Sequence, residues 1–240
     1  VVVCDSPWYM DYFEPFLSAA SKVCASEGHL LLSVPPDGTR PNVKEEWAAI
    51  KVFAEQLGFS LYNIEYGVLP YITPPFERNA LKAENLHNIP KEWRYSNLAL
   101  FTKEYVTDFA RPSNSSLGGI WSEEAFDGIR IRFSCRRKSV DFRDPTLKRI
   151  VSGDILPSVS RWDERRKQAD VWTSGNRIFR CRGPDLLQEI LRALARGLQP
   201  EMEITSYIKR KMSRAESDLV VKASEQITKV IRTEIEEYMS

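Results

Sequence analysis

Asp5-Ser6-Pro7-Trp8-Tyr9 combines a carboxylate, a rigid turn and two aromatic rings within five residues. Asp5 can accept a hydrogen bond from a substrate amine and offset the positive charge that grows as nitrogen attacks a methyl group. Pro7 stiffens the turn and is expected to leave neighbouring carbonyls free to accept from the same amine. Trp8 or Tyr9 can stack on a flat base, a surface that an extruded base needs. A plainer reading is a strand-ending turn that caps the next helix.

The flanking elements decide whether such a turn faces a ligand. Val1 to Cys4 is a β-branched run suited to a buried parallel strand. Phe13, Phe16, Leu17, Ala20, Val23 and Cys24 recur at helical spacing and stop at Gly28. Leu30 to Val34 reads as a strand, the stripe from Val43 to Leu57 as a helix, and Phe59 to Val68 and Tyr95 to Lys103 as strands. Pro74-Pro75 and Pro90 predict an irregular loop between the last two, which permits an antiparallel final strand. Alternation of this kind predicts a mostly parallel sheet, with ligands beyond the carboxyl ends of its strands. Asp5 to Tyr9 stands at such an end.

Asp5-Ser6-Pro7-Trp8 resembles the Asp/Asn-Pro-Pro-aromatic motif of amino-methyltransferases in the class I S-adenosylmethionine-dependent methyltransferase superfamily. Asp5, Pro7 and Trp8 match motif positions, and Ser6 stands where the motif has its first proline. The resemblance covers about residues 1–104. It implies the second half of a Rossmann-like methyltransferase core with an antiparallel last strand. It also implies catalytic roles for Asp5, Pro7 and Trp8, and S-adenosylmethionine as cofactor. Residues 105–183 read as a basic β-rich accessory region and 184–240 as a helical region ending in a long helix. The Gly-rich turn that holds the cofactor does not follow any strand of residues 1–104. Downstream, only Leu117-Gly118-Gly119 and Thr173-Ser174-Gly175-Asn176 are candidates, and neither precedes an amphipathic helix. The chain opens in mid-strand, so the cofactor half is expected upstream or on a partner. An aminopropyltransferase-like polyamine synthase shares the fold and a similar acidic turn. A catalytically inactive methyltransferase-like interaction subunit is the third reading.

Tyr9, Tyr71, Glu77 and Arg94 are the candidate substrate-binding residues, the last three flanking the proline-rich loop. Residues 105–183 hold sixteen Lys/Arg against ten Asp/Glu, although the whole chain is only +1. Arg130, Arg132 and Arg136 alternate with Ile131 and Phe133, so on a strand they share one face that could meet phosphates. Arg161, Arg165 and Arg166 form a second basic run, interleaved with Trp162, Asp163 and Glu164. Together they suggest a nucleic-acid or acidic-partner surface at residues 130–167, or simply a solvated face. Thr173 to Asn176 reads as a hairpin turn. Ile204 to Ile231 carries an apolar stripe that invites a partner subunit or oligomerisation.

Four cysteines without a CxxC pair and two histidines, His29 and His87, give no metal-ligand spacing. They fit a reducing, cytoplasmic setting. No apolar run reaches the roughly 18 residues of a membrane span. Neither histidine has the context of a hydrolase triad, and no phosphate-binding GxxxxGK[ST] loop occurs.

Overall fold

A computed structural model describes residues 1–108, 121–135, 141–160 and 162–239. The polar stretch Pro112–Ser116, the Leu117-Gly118-Gly119 turn, Ile120, Arg136 and Arg161 lie outside them. The protein is mixed α/β and divides into two compact units, Val1–Thr73 with Pro90–Leu117, and Pro74–Ile89 with Gly118–Ser240.

In the first unit the order is β1 (Val2–Cys4), α1 (Met10–Val23), β2 (His29–Val34), α2 (Val43–Gln56), β3 (Phe59–Tyr71) and β4 (Arg94–Lys103). The sheet runs β1-β2-β4-β3. β1 and β2 are parallel, and β4 is antiparallel to both β2 and β3, which makes it the reversed last strand. Apolar spacing explains the helices. Phe13, Leu17 and Ala20 of α1, and Ile50 and Ala54 of α2, are buried with Leu30, Leu32, Phe59, Ala99 and Phe101 in one core. Gly58 ends α2 at φ +82°, and a Cβ there would lie 2.2 Å from the Tyr105 carbonyl oxygen, so no side chain fits. Register shifts at Leu61/Asn63 and Glu65/Leu69 let β3 run on to Tyr71, past the end the sequence suggested.

The expected irregular loop between β3 and β4 contains a helix, α3 (Pro75–Ala83). Pro75 opens it where no backbone donor is needed, so the proline pair marks a helix start. α3 belongs to the second unit.

That unit adds β5 (Trp121–Phe126), β6 (Ile129–Ser134), β7 (Lys148–Arg149), β8 (Val171–Thr173), β9 (Ile178–Arg180), α4 (Pro184–Ala195), α5 (Pro200–Ile208) and α6 (Arg214–Met239). The sheet order is β5-β6-β8-β9-β7. β8 and β9 form the hairpin read from Thr173 to Asn176. The β-rich and helical regions share one core, from Ile129, Ile131 and Phe133 to Leu186, Ile190, Ile204 and Ile227. The C-terminal stripe is not one helix: Lys209 adopts a left-handed conformation and separates α5 from α6. Val220, Ala223, Ile227 and Ile231 of α6 are buried in this same core, so the expected partner-facing stripe is covered internally.

A buried ion network ties α6 to the β8–β9 turn. Arg177 bonds Glu237 at 2.5 and 2.8 Å and Glu234 at 3.3 Å. Glu234 is fully buried and also accepts from the Thr173 hydroxyl and, at 3.0 Å, from Gly175 N–H. Burial pushes its carboxyl above the usual range, against those hydrogen bonds and Arg177. A Cβ on Gly175 would lie 2.5 Å from the Glu234 carboxyl carbon. Asn79 of α3 donates to the Gly175 carbonyl at 3.0 Å and to Glu237 at 2.9 Å. Replacing Arg177 by Ala leaves the buried Glu234 carboxylate without its cation. Chemical denaturation is expected to show a loss of about 3–5 kcal/mol; a loss below about 1 kcal/mol contradicts this role.

Candidate functional site

Because β4 runs against its neighbours, its amino end meets the carboxyl ends of β2 and β3: Val34 pairs with Asn97, and Tyr71 with Arg94. β1 ends at the same edge, and Asp5 follows it directly. Asp5, Tyr71 and Arg94 are therefore brought together by strand register alone.

Asp5 is exposed, and its Oδ1 accepts a hydrogen bond from the Tyr71 hydroxyl. That hydroxyl is 2.6 Å from Ser33 Oγ, which lies 3.1 Å from Ser96 Oγ and accepts from Trp8 Nε1 at 3.3 Å. The Trp8 and Tyr71 rings meet edge to face, 5.5 Å between centroids. Burial first, and then the adjacent Asp5, hold the Tyr71 phenol above its ordinary value; Ser33 and Ser96 oppose the shift. Tyr71 thus keeps its proton and donates it. Burial, then Asp5, likewise push the Cys4 thiol up to about 11, so Cys4 is an inert core thiol.

The aromatic residues are less open than the sequence suggested. The Arg94 guanidinium lies 5.0 Å from the centre of the Trp8 ring, and Arg40 lies 5.1 Å from that of Tyr9. Trp8 is a wall fixed by three neighbours, and Tyr9 serves as the N-cap residue of α1. The carbonyl beside the proline is not free either, since Pro7 O accepts from Tyr9 N at 2.7 Å. Ser6, in the first-proline position, is 2 % exposed and its Oγ has no hydrogen-bond partner. Glu77 lies on α3 in the other unit, where it is buried.

Ser33, Ser96 and Arg40 were missed. A lone serine at the end of Leu30-Leu31-Leu32 was the available signal, because a hydroxyl in a buried strand needs a partner. Ser33→Ala removes the acceptor for Trp8 and the neighbour of Tyr71. It is expected to cost about 1–3 kcal/mol in chemical denaturation and to shift the Trp8 emission; an unchanged midpoint and spectrum contradict the network.

Neither strand-to-helix turn of this unit fits a cofactor cradle. Residues 5–9 hold no glycine, and residues 35–42 hold only Gly38. The Thr173–Asn176 turn joins two strands, and its Gly175 N–H already bonds Glu234. The described residues contain no group of three His, Cys, Asp or Glu able to hold a metal, and no helix long and apolar enough to cross a membrane.

In the second unit Arg130 and Arg132 share the exposed face of β6, as their spacing predicts. Both approach Glu123, Arg132 at 2.7 Å and Arg130 at 3.9 Å. Arg165 forms a two-pronged pair with Asp163 at 2.9 and 2.7 Å, which holds the Asp163 carboxyl down at about 2. Lys167 pairs with Glu164 at 2.6 Å. Arg166 does not face solvent. It is 8 % exposed, bonds Ser158 O, Ser160 O and Asn176 Oδ1 at 2.8–2.9 Å, and covers the Trp172 ring at 4.2 Å. Expected to contact phosphate, it instead holds the 158–160 segment to the hairpin.

Compared with family models, curated proteins and solved structures, the chain matches none.

Proposed function

We propose that this chain is an S-adenosylmethionine-dependent methyltransferase-like protein whose Asp5 receives a substrate amino group, a nucleic-acid base being one carrier of it. The observation that carries the reading is the Asp5 carboxylate, exposed at the carboxyl edge of the sheet and bonded on one oxygen by Tyr71. An amine N–H would donate to the other oxygen. As nitrogen forms its new bond and becomes cationic, a fixed carboxylate nearby lowers the energy of that charge. Trp8 and Arg94 would wall the acceptor, and water would leave as it enters. The reversed β4 also agrees with the core that the motif implies.

The described residues do not fit the cofactor, so no methyl-transfer step is derived through it. This misfit favours one other reading, a methyltransferase-like interaction subunit that has lost catalysis. The aminopropyltransferase-like reading uses the same acidic turn with a decarboxylated cofactor. Among the described residues, Arg130 and Arg132 share Glu123, Arg165 and Lys167 pair with Asp163 and Glu164, and Arg166 is buried, which lowers the charge that these five offer to phosphates.

Calorimetric titration with S-adenosylmethionine and a labelled-methyl assay on adenine- and cytosine-containing oligonucleotides test the proposal. Binding and transfer are expected once a cofactor-holding half or partner is supplied to the chain, with a fall of roughly 10²-fold or more for Asp5→Asn. No binding and no transfer would sink it in favour of the interaction subunit. Preference for decarboxylated S-adenosylmethionine with a polyamine acceptor would favour aminopropyl transfer. A salt-dependent gel shift lost in an Arg130→Ala, Arg132→Ala chain supports nucleic acid as the carrier; no shift at low salt removes it.

A further inference from the structure

The two oxygens of the Asp5 carboxylate do not do the same job. Asp5 Oδ1 accepts the Tyr71 hydroxyl, while the residue itself is exposed and its other oxygen has no hydrogen-bond partner among the described residues. Tyr71 cannot simply rotate away. Its ring is held edge-on by Trp8, its oxygen lies 2.6 Å from Ser33 Oγ, and its backbone is the last residue of β3, paired with Arg94. Trp8 is fixed in turn through Nε1 to the same Ser33 oxygen, and Ser33 is tied to Ser96. Four side chains from four chain segments therefore bear on a single torsion, that of the Asp5 carboxylate.

A phenol has one proton. Given to Asp5, it is not available to a substrate. The sequence placed Tyr71 among substrate-binding residues; its geometry gives it a different task.

We propose that Tyr71 is a positioning residue: its hydroxyl, steadied by Ser33 and Trp8, fixes one Asp5 oxygen inward so that the other is presented to a substrate N–H. This rests on the reading of Asp5 as the amine acceptor. The charged group that faces the phenol is Asp5, from the β1–α1 turn; Arg94, paired with Tyr71 across the sheet, lies over the Trp8 ring. A single Asp5 oxygen is offered, which suits an amino group donating one N–H, rather than a guanidinium that seeks both oxygens of a carboxylate.

The test uses the full chain with 13Cζ-labelled tyrosine, the Tyr71 signal being assigned by its loss in Tyr71→Phe. Titration of the wild type is expected to give a midpoint above that of a free tyrosine. Asp5→Asn removes the accepting carboxylate and its charge, so the midpoint falls. Ser33→Ala removes a group that favours the phenolate, so the midpoint rises. Arg94→Met keeps the Asp5 dependence. A Tyr71 midpoint that Asp5→Asn leaves in place would overturn the contact, whatever the protein's activity. Where the labelled-methyl assay gives turnover, Tyr71→Phe is expected to lower kcat about tenfold with the acceptor KM unchanged. A raised KM with kcat unchanged would make Tyr71 a substrate-binding residue and overturn positioning. Turnover that fails in every assay counts against the proposed function, while the titration still decides the contact.

Discussion

The reversal of β4 is the constraint on which the candidate site depends. β4 enters between β2 and β3 and bonds both in antiparallel ladders, six pairs long against β2. In a fully parallel sheet the amino end of the last strand would lie at the far edge from Asp5. Reversed, it delivers Arg94 and Ser96 to the carboxyl edge, beside Tyr71 at the end of β3 and Ser33 near the end of β2. A strand slipped by one residue would turn Ser96 to the other face of the sheet and dissolve the Ser33 pair. Register is secured by the alternate burial of β4, where Ala99, Phe101 and Lys103 are all fully or almost fully buried. Lys103 shows how strongly that pattern is enforced. Its ammonium is inside, bonded to Ser21 Oγ at 2.5 Å and to the Leu57 carbonyl, under the Phe59 ring. The same polar end fastens α1 and the end of α2 to the sheet.

The second unit solves its own problem with charge. Its sheet and helices share one apolar core, but the β8–β9 turn meets α6 through Arg177, Glu234, Thr173 and Gly175. A buried carboxylate is costly unless every lone pair is matched. Here a hydroxyl, an amide and a guanidinium donate to it, and glycine is required because any Cβ would strike Glu234. The segment 74–89 belongs to this unit although it is spliced between β3 and β4. Asn79 binds it to Glu237 and the Gly175 carbonyl. The chain therefore leaves the first unit immediately after Tyr71 to Thr73 and returns just before Arg94, so two residues of the candidate site sit at its exits.

The sequence revealed the elements better than their contacts. β-branched and leucine runs marked β1 and β2, helical spacing marked α1 and α2, and Ser174-Gly175-Asn176 marked the β8–β9 turn. These signals are local, and each is legible within ten or so residues. α3 was hidden because Pro74-Pro75 carries the same signature whether it breaks a helix or begins one. The break at Lys209 was hidden because the apolar spacing of Ile204 and Ile208 continues in register with that of α6. Asp5 and Tyr71 were legible as candidates, but their hydrogen bond spans sixty-six positions and depends on strand order. Arg165 and Arg166 are neighbours of one residue type; one faces an aspartate at the surface and the other is buried over Trp172. Nothing in composition separates them, since burial is set by residues far along the chain.

Depth sets the Asp5 carboxylate apart from its neighbours at this edge. One residue earlier, Cys4 is buried and its thiol is held up at about 11, beyond useful ionisation. One residue later, Ser6 is buried with its hydroxyl unmatched. Asp5 stands at the boundary between them. Deeper, the carboxylate would be driven towards its neutral form and lose its attraction for a developing cation. Further out, water would screen it and its torsion would be free, so a charge forming beside it would gain little. The Tyr71 hydroxyl, half-buried beside the buried Ser33, gives this exposed carboxylate a fixed partner. One oxygen is held by Tyr71, and the residue stays at the surface.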